Sequence, residues 1–188
     1  MKLLAVLMTV FVLSVSGCKT TTTKDDAASW GAAVNSWSSH EDVSDWLSRN
    51  FRFDRRRQDV IQQRLREQGP SGLLVREPDK LYERPRGFCG DSANFARVSL
   101  NQIDPAYNAQ WVFVQNAQGR PNHWVTAFTH QEQLYIMDYG AGLRWRAMNG
   151  VHGPYRNLDE YREFIASLNL PGFTAGRVVY RDMPGTYD

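Results

Sequence analysis

The chain has little of what would anchor several common assignments. Its 188 residues hold two cysteines and four histidines, and 22 basic residues stand against 20 acidic ones. Two cysteines exclude a disulfide scaffold, and a charge this balanced offers no patch for nucleic acid. No CxxC or HxxxH pair is present, so zinc would need a site assembled from Cys89, His123 and Asp138, and no metal or cofactor is expected. No internal repeat is visible, which excludes solenoids. The apolar run at residues 3–13, broken by Thr9, is too short to span a bilayer as a helix.

That short run has a use of its own. Met1-Lys2 gives a positive start, and Val15-Ser16-Gly17 places small residues before Cys18. Residues 1–17 therefore read as a secretory signal. Val-Ser-Gly-Cys resembles the lipobox of bacterial lipoproteins, which implies that Cys18 is acylated and becomes the mature N-terminus. Each buried acyl methylene contributes about 0.8 kcal/mol, so such an anchor holds. Lys19 in place of an inner-membrane retention Asp points to the outer membrane, facing the periplasm. Residues 18–38 are expected to be the lipidated N-terminus and a flexible tether, although Trp30, Val34 and Trp37 fall at helical spacing. The folded domain is expected over residues 39–188.

With Cys18 assigned to lipid, Cys89 has no partner in the chain. In an exported protein such a thiol is buried and inert, intermolecular, or reactive. Its setting favours reactivity. A segment rich in Pro, Arg and Gly leads into Phe88-Cys89-Gly90-Asp91, and Ala93, Ala96, Leu100 and Ile103 then mark one face of a helix. Cys89 thus stands at a helix N-terminus, where the dipole and free amides favour a thiolate.

Around it the spacing predicts a helix from Ser39, with Val43, Trp46, Leu47 and Phe51 on one face. A second runs over residues 56–68 and stops at Gly69-Pro70. The Arg55-Arg56-Arg57 run reads as a solvated helix start. Residues 71–87 read as a long loop. Strands are expected at residues 111–115, 123–129 and 133–138, a loop at 139–156, a helix from the Asn157 cap to Leu168, and a last strand at 176–181. Helices followed by strands imply an α+β domain with an antiparallel sheet.

A thiolate needs a base, and the base needs an orienting group. Centring the hairpin turn between His130 and Gln131 sets Val125 opposite Ile136 and His123 opposite Asp138, on one face of the sheet. His130 then sits in the turn, His40 at a helix start and His152 in the Gly-rich loop, as surface or packing residues.

Asp45 to Asp54, then Gly87-Phe88-Cys89-Gly90-Asp91-Ser92-Ala93, then Asn122-His123-Trp124-Val125 and Met137-Asp138 together resemble the bacterial transglutaminase-like domain over residues 40–145. Residues 146–188 form a C-terminal extension to it. The resemblance implies a papain-like α+β fold with Cys89, His123 and Asp138 as a catalytic triad. It further implies attack on an amide carbonyl through a thioester, in a cysteine peptidase or amidase acting on protein or peptidoglycan peptides. Tyr82 and the Cys89 amide are the expected oxyanion donors. The chain departs from the family where H-A-W is His123-Trp124-Val125 and Asp-Pro is Asp138-Tyr139. It also lacks the acidic Asp-Cys-Glu-Asp segment of the calcium-dependent branch, which weighs against calcium. Two other readings are an inactive peptide-binding module and a cross-linking acyltransferase.

Overall fold

The computed structural model describes residues 27–188; the leader, Cys18 and most of the expected tether lie outside them. Trp30–Ser36, placed in the tether by sequence, is helix α1, capped by the Ser29 side chain on the Ala32 amide. Its Ala33 and Val34 are buried, as is Trp37 behind it, and Trp30 Nε1 donates to Ser99 Oγ at 3.0 Å. Seven residues carry too few periods to announce a helix, and the contact 69 residues away decides it. The folded unit therefore begins ahead of residue 39.

Helix α2 (His40–Asn50) buries Val43, Trp46 and Leu47, the face its sequence predicts. Strand β1 (Arg52–Phe53) leads to α3 (Arg55–Gln68), where Asp54 caps the helix by accepting the Arg57 amide at 3.1 Å. The helix stops at Gly69, whose φ of 67° a residue with a Cβ rarely adopts. Residues 71–87 are not one loop. They contain β2 (Leu74–Val75), helix α4 (Pro78–Glu83) and β3 (Arg86–Gly87). β3 pairs in parallel with β1, so a distant partner creates an element too short to show any period.

Helix α5 (Cys89–Ile103) precedes β4 (Gln110–Asn116), β5 (His123–His130), β6 (Gln133–Asp138) and β7 (Gly150–Tyr155). Helix α6 (Leu158–Ser167), β8 (Ala175–Tyr180) and β9 (Thr186–Tyr187) complete the chain. One antiparallel sheet runs in the order β7-β6-β5-β4-β8, so the domain is α+β as the sequence implied. β7 falls inside the predicted loop; Gly150, Gly153 and Pro154 disguise it, and Pro is tolerated there because β7 is an edge.

Two faces of the sheet bury two different cores. Helix α5 lies on the face of Trp111, Trp124, Phe128 and Met137, where Thr126 Oγ1 donates to Ala93 O at 2.6 Å. Helix α6 covers the face of Val112, Val125, Ala127 and Ile136 with Tyr161 and Ile165. Full burial of Phe95 and Leu100 on α5 stabilises that packing by about 1.5–3 kcal/mol each.

The β5–β6 hairpin turns one residue later than predicted. His130 pairs with Gln133, so the turn is Gln131-Glu132, with φ of 51° and 61°. A two-residue turn with both φ positive matches strand twist, and Asn or Gly is its usual sequence signal. Neither is present here. His130 is therefore the end of a strand, and Ile136 faces Ala127 instead of Val125. The displacement is two residues along β6, an even number, so every side chain keeps its predicted face.

Candidate active site

Cys89 is the first residue of α5 and is 5% exposed. Phe88, in extended conformation, is the cap residue; Asp91, three positions into the turn, accepts its amide at 2.9 Å. The Cys89 amide has no partner among the described residues, as expected for a first-turn donor.

Asp91 ties this helix start to the rest of the domain. Oδ2 accepts Arg57 Nε at 2.7 Å and the Phe88 amide, while Oδ1 accepts Arg57 Nη2 at 3.0 Å and the Arg76 amide at 2.8 Å. Four donors fill the four lone-pair positions of a carboxylate and leave none for a proton. Burial pushes the Asp91 carboxyl up, and Arg57 with the two amides opposes it. Arg57 Nη2 also reaches Asp188 Oδ1 at 2.8 Å and Leu74 O. The Arg57 guanidinium loses solvation by burial, yet the two carboxylates hold its pKa above the ordinary arginine value. Arg57 thus differs from the solvated residue its sequence context suggested: its side chain is 13% exposed. Asp91 lies 34 residues away, so no local signal could have shown the pair.

His123 opens β5 and Asp138 closes β6. Both share the face of Val125 and Ile136, opposite to α5, so thiol and imidazole meet only because the strands end there. His123 Nε2 and Asp138 Oδ2 are 2.6 Å apart, both side chains almost fully buried. Burial pulls the imidazole pKa down. The Asp138 charge and hydrogen bond, joined by hydrogen bonding and charge from the Cys89 sulfur, reverse this and hold it at about 10. With Nε2 given to Asp138, Nδ1 is the ring nitrogen left for the thiol.

A raised histidine pKa links stability to pH with a definite sign. The unfolded group titrates near 6.5, so the contribution is complete below that value and is lost as pH rises through about 10. Thermal midpoints should therefore fall between pH 7 and 10.5, and His123→Gln should flatten the decline. Parallel curves for both proteins would disprove the linkage.

Gly140 was not anticipated. Its amide donates to Asp138 Oδ1 at 2.9 Å, leaving Oδ2 for His123. A Cβ on Gly140 would stand 2.3 Å from Cys89 Cα and 2.6 Å from Ser92 Oγ. The glycine lets the end of β6 touch the backbone of Cys89, which brings all three polar side chains together. A glycine after the strand was visible in the sequence, but its contact was not.

The other expected residues separate cleanly. Tyr82, proposed as an oxyanion donor, gives its hydroxyl to Ala27 O at 2.9 Å and stacks on Trp46 at 5.1 Å. It belongs to the α1–α2 packing, because α4 turns it there. His40 is buried against His130, with ring centroids 4.7 Å apart, and His152, in β7, bonds Met148 O through Nε2 at 2.7 Å. These three histidines are packing residues.

A cleft of about 140 Å³ opens beside Cys89. Helix α3 supplies Ile61 and Leu65 to one wall; Phe113, Trp124 and Arg120 line the other, with Arg181 following β8. A thiol at the end of a cleft with apolar and polar walls can attack a bound carbonyl, provided the cleft admits it.

No helix among the described residues is long and apolar enough to cross a membrane. A comparison with curated proteins finds no match. A family model for the transglutaminase-like domain matches residues 28–144, starting with α1 and ending just past Gly140. With the order Cys89, His123, Asp138 and the antiparallel sheet behind them, the chain belongs to the transglutaminase-like domain family.

Proposed function

We propose that the domain is a cysteine hydrolase of amide bonds, with Cys89 as nucleophile, His123 as base and then acid, and Asp138 as the group that orients His123. One observation carries this reading: a free cysteine at the start of a helix shares a hydrogen-bonded imidazole with a buried carboxylate at 2.6 Å. In the proposed reaction the Cys89 sulfur, its proton held by His123, adds to an amide carbonyl. The developing oxyanion is met by the Cys89 amide. The amine leaves with the proton from His123, and water, deprotonated by the same ring, then cleaves the thioester. Peptide, isopeptide and cell-wall amide bonds all fit this chemistry.

Alkylation by iodoacetamide across pH tests the site without a known substrate. An unassisted thiol reacts with a profile centred near pH 8.5. Wild-type Cys89 should stay reactive at least a unit below that, and His123→Ala and Asp138→Asn should shift the profile upward. An identical profile near pH 8.5 in all three proteins defeats the nucleophile assignment.

We further propose that the chain is held to the bacterial envelope, facing the periplasm, through acylated Cys18, on the strength of the Val15-Ser16-Gly17-Cys18 sequence. Cys18→Ser should move the protein from the membrane to the soluble fraction; retention on the membrane would contradict the anchor.

A further inference from the structure

Resting on the reading of Cys89 as the nucleophile, the cleft assigns a charge to the substrate. Both of its walls carry apolar side chains: Ile61 and Leu65 on one, Phe113 and Trp124 on the other. Among the described residues the charged groups in its wall are Arg120 and Arg181, both cations. Neither is ion-paired with another described residue. Arg181 is held in place, since its backbone amide donates to Trp111 O at 3.3 Å and its guanidinium carbon lies 5.0 Å from the Phe113 ring centroid. Phe113 packs on Trp124 at 5.1 Å, so this cation is fixed to the same aromatic wall that leads to the thiol. Arg120 sits in the turn between β4 and β5, three residues before His123, on the exposed rim.

Two guanidinium groups with no carboxylate partner among the described residues, beside apolar walls, suit a carboxylate attached to an otherwise apolar or amide chain. Each presents a planar fork of donors that matches both carboxylate oxygens. A lysine-rich segment would meet like charge at the same place.

We propose that this cleft selects amide substrates carrying a carboxylate near the bond attacked, and that Arg120 and Arg181 receive it. The carboxylate comes from an acidic side chain or from a free chain end. Three reagents separate these sources: N-bromoacetyl-glutamate amide, N-bromoacetyl-glutamine with a free α-carboxylate, and the neutral N-bromoacetyl-glutamine amide. In each, the Cys89 sulfur displaces bromide to form a thioether, and the thiol proton passes to His123.

The full-length protein should be alkylated at Cys89 about tenfold faster by at least one of the acids than by the neutral reagent. The faster acid identifies the source. In 1 M salt the screening length falls to about 3 Å, so this preference should shrink to about twofold. The double variant Arg120→Gln/Arg181→Gln should lose the preference, read within that protein as the ratio of acid to neutral reagent rates. Equal rates for all three reagents overturn the proposal, as does a preference that survives in the double variant, which would place it on His123. If Cys89 reacts with iodoacetamide no faster than an ordinary thiol, the nucleophile reading falls and this inference falls with it.

Discussion

Gly140→Ala should silence Cys89 while most of the domain stays folded. The added Cβ would stand 2.3 Å from Cys89 Cα and 2.9 Å from Cys89 Cβ, both in the first turn of α5, where neither atom can swing aside. Ordinary contact needs more than an ångström of further separation, so either α5 or the end of β6 must shift. Overpacking of this kind costs about 1–3 kcal/mol. The site should suffer more, because a displacement of about 1 Å between reacting groups costs roughly a hundredfold in rate. The Gly140 amide would also move with respect to Asp138, loosening the carboxylate that holds His123. Alkylation at pH 6.5 should fall at least tenfold, with the circular dichroism of the fold retained. Gly31→Ala is the matched control: it lies in α1 with nothing within 4 Å of the added Cβ, and alanine is the better helix former. Wild-type reactivity in Gly140→Ala would show that the close approach to Cys89 has no bearing on the site.

Asp91→Ala should be the most destabilising single change near the site. It removes an acceptor of four hydrogen bonds and leaves the Arg57 charge with the exposed Asp188 as its remaining carboxylate partner among the described residues. Breaking a buried pair from one side costs about 3–5 kcal/mol, since the remaining charge keeps its desolvation and loses its partner. The loss should appear as a lower urea midpoint with an unchanged slope, and Arg57→Ala should behave alike. The two changes should not add, because they remove the same interaction. Full additivity, or a loss under 1 kcal/mol, would mean that Asp91 serves only as a helix cap.

Much of the arrangement was legible because it depends on short-range rules. A cysteine at the start of an apolar-faced helix can be read from Ala93, Ala96 and Leu100, and an Asn157 cap from its own neighbourhood. The hairpin turn comes later than the spacing implied, so Asp138 does not stand directly opposite His123, yet the two side chains share a face and still meet at 2.6 Å. Strand faces alternate every residue, and the turn at Gln131-Glu132 moved the register by an even step. Its positive φ values fell on residues that carry no turn signal.

What could not be read depends on contacts between distant segments. Strands β1, β2, β3 and β9 have two residues each and exist through their pairing across the chain. Helix α1, whose local spacing was ambiguous, is fixed by its contact with α5, and β7, rich in Gly and Pro, by its pairing with β6. The tyrosine at position 82 follows α4 into the helical core and away from the thiol.

The sequence by itself determined the chemistry available: a thiol at a helix start, with an imidazole and a carboxylate on one face of a hairpin. Only the tertiary structure decided that they meet. The ends of β5 and β6 reach α5 because Gly140 has no side chain, and Arg57 locks Asp91 beneath the first turn. Local preference selects helices and strands within a few residues, whereas a site built from three separate elements is set by the packing and charge that join them.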